Sequence, residues 1–87
     1  MTKEQRQLND WIGTLRLAAE TQSQALLDGA LVALNGEYRP TDGVEKEYQG
    51  EFQGFLDDLI YAERAQNWSQ IKMVVERLDG AYTTVGA

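Results

Sequence analysis

The sequence predicts an all-α protein, a small helical bundle in which a long N-terminal helix packs on an antiparallel helical hairpin. Apolar residues recur every three to four positions along most of the chain, which is the period of an amphipathic helix. Asn-Gly and Asp-Gly pairs follow two of these stretches and are typical helix-ending signals. No neighbouring segments show the alternating pattern of a β-hairpin. The 87 residues suit one domain, which we take to span 1–87.

The first predicted helix covers about 3–34. Thr2 and Gln5 have the spacing of a capping box at its start, and Asn35-Gly36 ends it because both residues tolerate the left-handed conformation. A continuous helix of this length would measure about 48 Å. Its apolar stripe consists of Leu8, Trp11, Ile12, Leu15, Ala19, Leu26, Ala30 and Leu34.

A polar segment at 20–24 offers a break in this helix. Thr21 and Gln24 have the capping-box spacing and could begin a second helix there. The segment contains neither Gly nor Pro, which are the strongest helix-breaking residues. We therefore favour a continuous helix and keep the break as the alternative.

Two further helices, at about 42–65 and 68–79, are predicted to form the hairpin. Asp42 can cap the first of them, and Asn67, with Gln70 three residues later, can cap the second. The joint between them is short, which favours an antiparallel arrangement. Their predicted inward-facing residues are Val44, Tyr48, Phe52, Phe55, Leu56, Leu59, Ile60, Trp68, Ile71, Val74, Val75 and Leu78.

The helix lengths lead to a prediction about assembly. A continuous first helix of about 48 Å would overhang partners of about 36 Å and about 18 Å. The overhang would leave apolar surface uncovered, and exposed apolar patches mark interfaces. We therefore expect self-association or an obligate partner. A break at 20–24 would remove the overhang and make a closed four-helix monomer reasonable.

The acidic residues are concentrated in one part of the chain. The formal net charge is −6, and residues 37–58 contain seven acidic and two basic side chains, a net charge of −5. This stretch is either a solvated helix face that aids solubility or a surface that docks a larger protein with a basic surface. The candidate acidic docking residues are Asp42, Glu45, Glu47, Glu51, Asp57 and Asp58.

A second set of candidate contact residues is aromatic or basic. Tyr38 and Arg39 lie in the loop before the hairpin, and Tyr82 lies in the segment 81–87, which we expect to be a loosely ordered tail. No helical stripe requires these residues in the core. Tyr and Arg are enriched at protein interfaces, so we predict that these three residues contact a partner.

Gly50 and Gly54 lie one turn apart inside a predicted helix, where each costs about 1 kcal/mol relative to alanine. The missing Cβ lets another backbone approach closely. We predict that both glycines contact a helix, which belongs either to the same chain or to a partner or second copy. A local kink or unwinding is the remaining explanation.

Composition argues against several classes of function. The chain has no Cys and no His, so it lacks thiolate nucleophiles, Cys-based metal sites and the usual proton shuttle. We expect no enzymatic activity, no cofactor and no metal. The acidic charge argues against nucleic-acid binding. The longest apolar stretch, 30–34, is too short for a membrane span, and residues 1–7 lack a signal-peptide core, so we expect a cytoplasmic protein.

These features favour a small acidic protein–protein interaction module that acts as inhibitor, adaptor or accessory subunit of a larger protein. Anti-defence and phage-type inhibitors often share this acidic character and lack of His and Cys. This is a similarity of composition and not of family. The alternative is a structural homo-oligomeric building block or assembly subunit with Gly50 and Gly54 at the contact. Docking through the acidic stretch should weaken steeply with salt, which distinguishes the first function from the second.

Overall fold

The computed structural model describes residues 3–37, 44 and 46–82, and within these residues it contains helices and no strand. The predicted small all-α bundle is confirmed. A short turn, Ala33–Glu37, follows the second helix and changes direction at Gly36, whose φ is 111°. A 3-10 turn, Lys46–Tyr48, precedes the third helix. The α-helices are α1 Lys3–Thr21, α2 Gln24–Val32, α3 Gln49–Arg64 and α4 Trp68–Tyr82.

The chain changes direction between α1 and α2 at Gln22, which adopts a left-handed backbone conformation with φ of 52°. The N–H of Ser23 donates to the carbonyl of Ala18 at 3.0 Å, which closes α1 in the Schellman arrangement. Ser23 then caps α2, because its hydroxyl accepts from the N–H of Leu26 at 3.4 Å. The favoured continuous helix is therefore wrong, and the alternative break within 20–24 is confirmed.

This break corrects two further expectations. The cap of α2 is Ser23 rather than Thr21. Because α1 and α2 are separate helices that pack against each other, no helix of about 48 Å overhangs its neighbours. The overhang therefore gives no support to self-association, which stays a prediction.

The joint between α3 and α4 has the same backbone arrangement. Gln66 is left-handed with φ of 52°. Its N–H donates to the carbonyl of Glu63 at 3.0 Å, and the N–H of Asn67 donates to the carbonyl of Ala62 at 3.0 Å. Asn67 Oδ1 accepts from the N–H of Gln70 at 3.2 Å, so the predicted cap of α4 is confirmed.

Two helix boundaries of the hairpin differ from the prediction. α3 begins at Gln49 rather than near 42, and its predicted cap, Asp42, lies outside the described residues. α4 continues to Tyr82, past the predicted end at Asp79. Tyr82 packs against Phe52 of α3, and this tertiary contact stabilises a last turn that the local sequence alone would end.

All four helices contribute to the apolar core. α1 packs against α2 and α4, and α3 packs against α4, whereas α2 and α3 contact each other sparsely. Trp11 and Trp68 are partly buried against the core, whereas Tyr48, predicted to face inward, is exposed. The largest fully buried side chains are Leu8, Ile12, Leu15, Leu27, Leu34, Phe52, Leu56, Leu59, Ile71, Val75 and Leu78.

Candidate docking surfaces

The predicted docking acids of α3 lie on the outward side and one flank of the helix. Glu51, Asp57 and Asp58 are exposed on α3, and Glu47 is exposed in the turn before it. At about 100° per residue, the α3 positions that lie opposite the core are those of Gly50, Gly54, Asp57 and Tyr61, and Glu51 and Asp58 lie on one flank. The buried side of α3 consists of Phe52, Leu56, Leu59 and Ala62. We call Glu47, Glu51, Asp57 and Asp58 the acidic face.

The acidic face contacts no compensating positive charge among the described residues. Within the part of the chain that the structure describes, none of its four carboxylates lies in a salt bridge with Lys or Arg. Asp57 Oδ1 accepts one hydrogen bond, from Gln53 Nε2 at 3.2 Å. Exposed carboxylates without counter-charges attract a basic surface over a screening length of about 8 Å at physiological salt.

The remaining predicted contact residues are divided between described and undescribed parts of the chain. Asp42 and Glu45 of the acidic set lie outside the described residues, as do Tyr38 and Arg39. Four of the six predicted acidic residues therefore lie exposed on α3 or in the turn before it, and Tyr82 lies on a different helix, α4.

Gly50 and Gly54 lie on the outward side of α3, among the residues of the acidic face. Apart from its sequence neighbours and the backbone of its own helix, a Cβ placed on either glycine would meet no atom of the described chain within 4 Å. Contact with a neighbouring helix of the same chain is therefore the wrong explanation for these glycines within the described ranges. Local unwinding is also wrong, because α3 passes both positions as a continuous α-helix, whereas a kink stays a prediction. Contact with the helix of a partner or second copy stays a prediction.

Tyr82 is the last residue of α4, and residues 83–87 lie outside the described range. Its partly buried ring packs edge-on against Phe52 and Phe55, with ring centroids 5.0 Å and 6.1 Å away. Burial, and to a smaller extent the charge of Glu51, raises the pKa of Tyr82 above its ordinary value. The hydroxyl is buried and has no hydrogen-bond partner among the described residues. Tyr82 thus fastens the end of α4 to α3, and its partner contact stays a prediction.

A surface that the sequence reasoning missed lies along the seam of α2 and α3. It is a shallow depression of about 230 Å³, in which Leu31 is almost buried, Ile60 is partly buried and Val32 is 50% exposed. The signal in the sequence was α2 itself, since only one of its nine residues is charged, yet Leu26 and Val32 stay exposed. We call this surface the α2–α3 trough, and its lining residues are Asp28, Leu31, Val32, Asn35, Ile60, Glu63 and Arg64.

Two glutamine side chains connect the walls of the trough at its two ends. Gln24 Nε2 of α2 donates to Asp28 Oδ1 at 3.1 Å and also to Glu63 Oε1 of α3. Gln53 Nε2 of α3 donates to Asn35 Oδ1, just beyond α2, at 3.0 Å. The chain therefore runs antiparallel along the two walls, and the trough stays open between the two bridges.

A second depression, of about 210 Å³, lies between α1 and α4 and carries both signs of charge. Arg16 Nη1 and Asp79 Oδ2 are 3.7 Å apart, and Glu20, Lys72 and Glu76 also line the depression. These mixed charges offset each other, so this depression has no single sign with which to select a charged ligand. Across the described residues, no three acidic side chains are grouped closely enough to hold a metal ion.

No protein-family model, no curated protein and no solved structure matches the chain. Within the described ranges, no helix combines the length and the apolar character that a membrane span requires. The charge and shape of the acidic face and of the α2–α3 trough are therefore the basis for assigning a function.

Proposed function

We propose that the chain is a non-enzymatic protein–protein interaction module that docks through its acidic face onto a larger protein with a basic surface. In this role it inhibits, adapts or completes that protein in the cytoplasm. The observation that carries the proposal is the acidic face itself, which consists of four exposed carboxylates without a salt-bridge partner in the described residues.

The arrangement of α3 supports docking rather than solubility alone. Its inner side is fixed by core residues, so the carboxylates are displayed from a rigid element whose position does not depend on the partner. The adjacent Gly50 and Gly54 have open space above them, so a partner can approach the helix backbone between the charges. Complementary charge at such a surface speeds association and selects partners.

The non-enzymatic part of the proposal comes from the available chemistry. The sequence supplies neither His nor Cys for nucleophilic or acid–base catalysis. The depressions described above are shallow surface features, whereas small-molecule sites are usually enclosed clefts of about 300–1,000 Å³.

A charge-reversal experiment tests the proposal. The acidic-face variant carries Glu47→Lys, Glu51→Lys, Asp57→Lys and Asp58→Lys together. A matched control carries Glu4→Lys, Asp10→Lys, Glu20→Lys and Glu76→Lys, which reverse four exposed acids elsewhere on the surface. Each reversal adds two charges, so both variants change the formal net charge from −6 to +2.

Both variants and the wild-type chain are used as bait at low and high salt, and a captured partner is then titrated as purified protein. We expect the acidic-face variant to lose at least about tenfold in affinity and the control to change much less. Wild-type binding should weaken at high salt. Equal losses of affinity in both variants would exclude docking through the acidic face. Docking there would also be excluded if neither variant and no change of salt altered the affinity.

A homo-oligomeric building block is the second candidate, and the open space over Gly50 and Gly54 favours it. Two copies that met at this strip would bring their acidic faces together, so low salt should dissociate them. Sedimentation mass at low and high salt, for wild type and Gly54→Leu, separates the two functions. The interaction module gives a monomer throughout, whereas the building block gives a high-salt oligomer that Gly54→Leu dissociates.

A further inference from the structure

We propose that the α2–α3 trough binds one amphipathic helix of the partner, with an apolar stripe against the trough and basic residues beside it. This inference rests on the proposed function, because it takes the partner to be basic. It adds an apolar anchor to the electrostatic attraction of the acidic face, and it places that anchor on residues outside that face.

The apolar anchor is the exposed part of the trough. Val32 is half exposed, and it lies beside the partly buried Ile60 and the almost buried Leu31. Aliphatic groups in a depression between two helices are the usual receptor for the apolar stripe of a third helix. Covering Val32 would remove apolar surface from water, which favours binding roughly in proportion to the area buried.

The two glutamine bridges lie at the ends of the site. Gln24 marks one end of the trough and Asn35, bonded to Gln53, marks the other. The lining residues run from Asp28 to Asn35 along the longer wall, which corresponds to about 10 Å, or about two turns of a docked helix. The bridges hold the walls together before binding, so a partner helix need not order them.

The acidic face beside the trough favours a basic helix. The lining residues alone carry mixed charge, because Asp28 and Glu63 lie on the walls together with the basic Arg64. Asp57, which belongs to the acidic face, accepts from the same Gln53 that bridges one end of the trough. The apolar surface is therefore continuous with the acidic face. A second copy of this chain, with a formal charge of −6, would be repelled by the same carboxylates.

The test uses the full isotope-labelled chain and a synthetic peptide of Leu and Lys, patterned to form about four helical turns with one leucine stripe. A control peptide has the same composition with Leu and Lys alternating, so its charge is equal but a helix of it has no stripe. We expect the patterned peptide to shift the NMR signals of the side-chain amides of Gln24 and Gln53 and the backbone signal of Val32. The alternating peptide should bind at least about fivefold more weakly.

Two matched variants identify the anchor. Val32→Ser should weaken binding of the patterned peptide about fivefold, whereas Leu17→Ser should leave it unchanged, although Leu17 is also 50% exposed. Both substitutions are at exposed positions, and the map of shifted signals on the wild-type chain gives the answer independently of either variant. Equal effects of the two variants, equal binding of the two peptides, or no shifts at the trough would overturn the inference.

The outcomes also separate this inference from the proposed function. If the acidic-face variant loses the natural partner but the patterned peptide does not contact the trough, the proposed function stands and the trough is not its anchor. If the peptide occupies the trough but the acidic-face variant keeps the natural partner, the proposed function is wrong. Concentration-dependent shifts at Val32 without peptide, with a doubled mass, would assign the trough to a second copy and overturn the basic-helix inference.

Discussion

Two reversals of the chain, at Gln22–Ser23 and at Gln66–Asn67, use the same backbone arrangement with different tertiary results. In both, a glutamine has φ of 52° and the next residue donates to a carbonyl five residues back at 3.0 Å. The first reversal leads into α2, which contacts α3 sparsely, whereas the second joins α3 and α4, which pack closely. A local turn motif thus determines where a helix ends but not how completely the next helix is covered.

The two reversals also differ in the strength of their caps. Ser23 accepts from the N–H of Leu26 at 3.4 Å, which is long for a hydrogen bond, whereas Asn67 accepts from Gln70 at 3.2 Å. The second reversal additionally has the bond from the Gln66 N–H to Glu63. The second joint should therefore contribute more to stability than the first.

Proline at the left-handed position should have the largest effect. Proline fixes φ near −65°, which is incompatible with the conformation of Gln22 and Gln66, so each Pro variant should lose about 3 kcal/mol or more of unfolding free energy. Gln66→Pro should lose more than Gln22→Pro, by about 1 kcal/mol, because it also removes the N–H that donates to Glu63. Urea unfolding followed by circular dichroism measures both values.

Glycine at the same positions is the control. Gln22→Gly and Gln66→Gly should be at least as stable as wild type, because glycine adopts positive φ without a steric cost. A loss of about 1 kcal/mol in Gln22→Gly, as expected for glycine inside a continuous helix, would mean that α1 and α2 are not separated by this reversal.

Removing the caps should have an intermediate effect. Asn67→Ala and Ser23→Ala each should cost about 1 kcal/mol, with the larger loss at Asn67 because its hydrogen bond is shorter. Thermal unfolding of the two variants compares them directly. Ser69→Ala, at an exposed position inside α4, is the control and should change stability little. A greater loss at Ser23 would reverse the ranking of the two joints.

Tyr82 lies at the other end of the hairpin that the second reversal closes, and changing it should have the smallest effect. Tyr82→Phe keeps the ring that packs on Phe52 and Phe55 but removes a buried hydroxyl without a partner in the described residues. We expect unchanged or slightly increased stability in urea unfolding at neutral pH. A clear loss of stability would show that the hydroxyl is hydrogen-bonded in the folded protein.

The same variant should change the dependence of stability on alkaline pH. The pKa of Tyr82 is raised in the folded chain, chiefly by burial, so the folded state holds the phenol proton more tightly than the unfolded state. The contribution of Tyr82 is therefore complete below its ordinary pKa of 10.0 and decreases as the pH rises above that value. Tyr82→Phe should decline less steeply over this range than wild type.

The two reversals also differ in whether the sequence predicts the helix boundary. The second was predicted correctly because Asn67 and Gln70 have an unambiguous capping pattern. At the first, the sequence favours a continuous helix, because the segment 20–24 lacks Gly and Pro. The structure shows that glutamine takes the left-handed position at both joints, where the Schellman hydrogen bonds and the packing of the following helix offset its steric cost.

The candidate surfaces also differ in how much of each can be predicted from the sequence. The outward placement of Glu51, Asp57 and Asp58 follows from helical periodicity, because the apolar stripe of α3 specifies which side is buried. The open space over Gly50 and Gly54 does not follow, since the glycines alone are equally compatible with a close helix contact. The α2–α3 trough could not be predicted either, because it depends on the distance between two helices that are remote in sequence.

Local periodicity and composition are sufficient to predict the helical class, the cap at Asn67 and the concentration of negative charge in 37–58. Tertiary packing decided how far each helix extends, whether another helix covers Gly50 and Gly54, and which apolar side chains stay exposed. The last turn of α4 persists because Tyr82 meets Phe52, and Val32 is half exposed because α3 covers only part of α2. Such outcomes depend on contacts between distant segments, whose geometry local patterns do not contain.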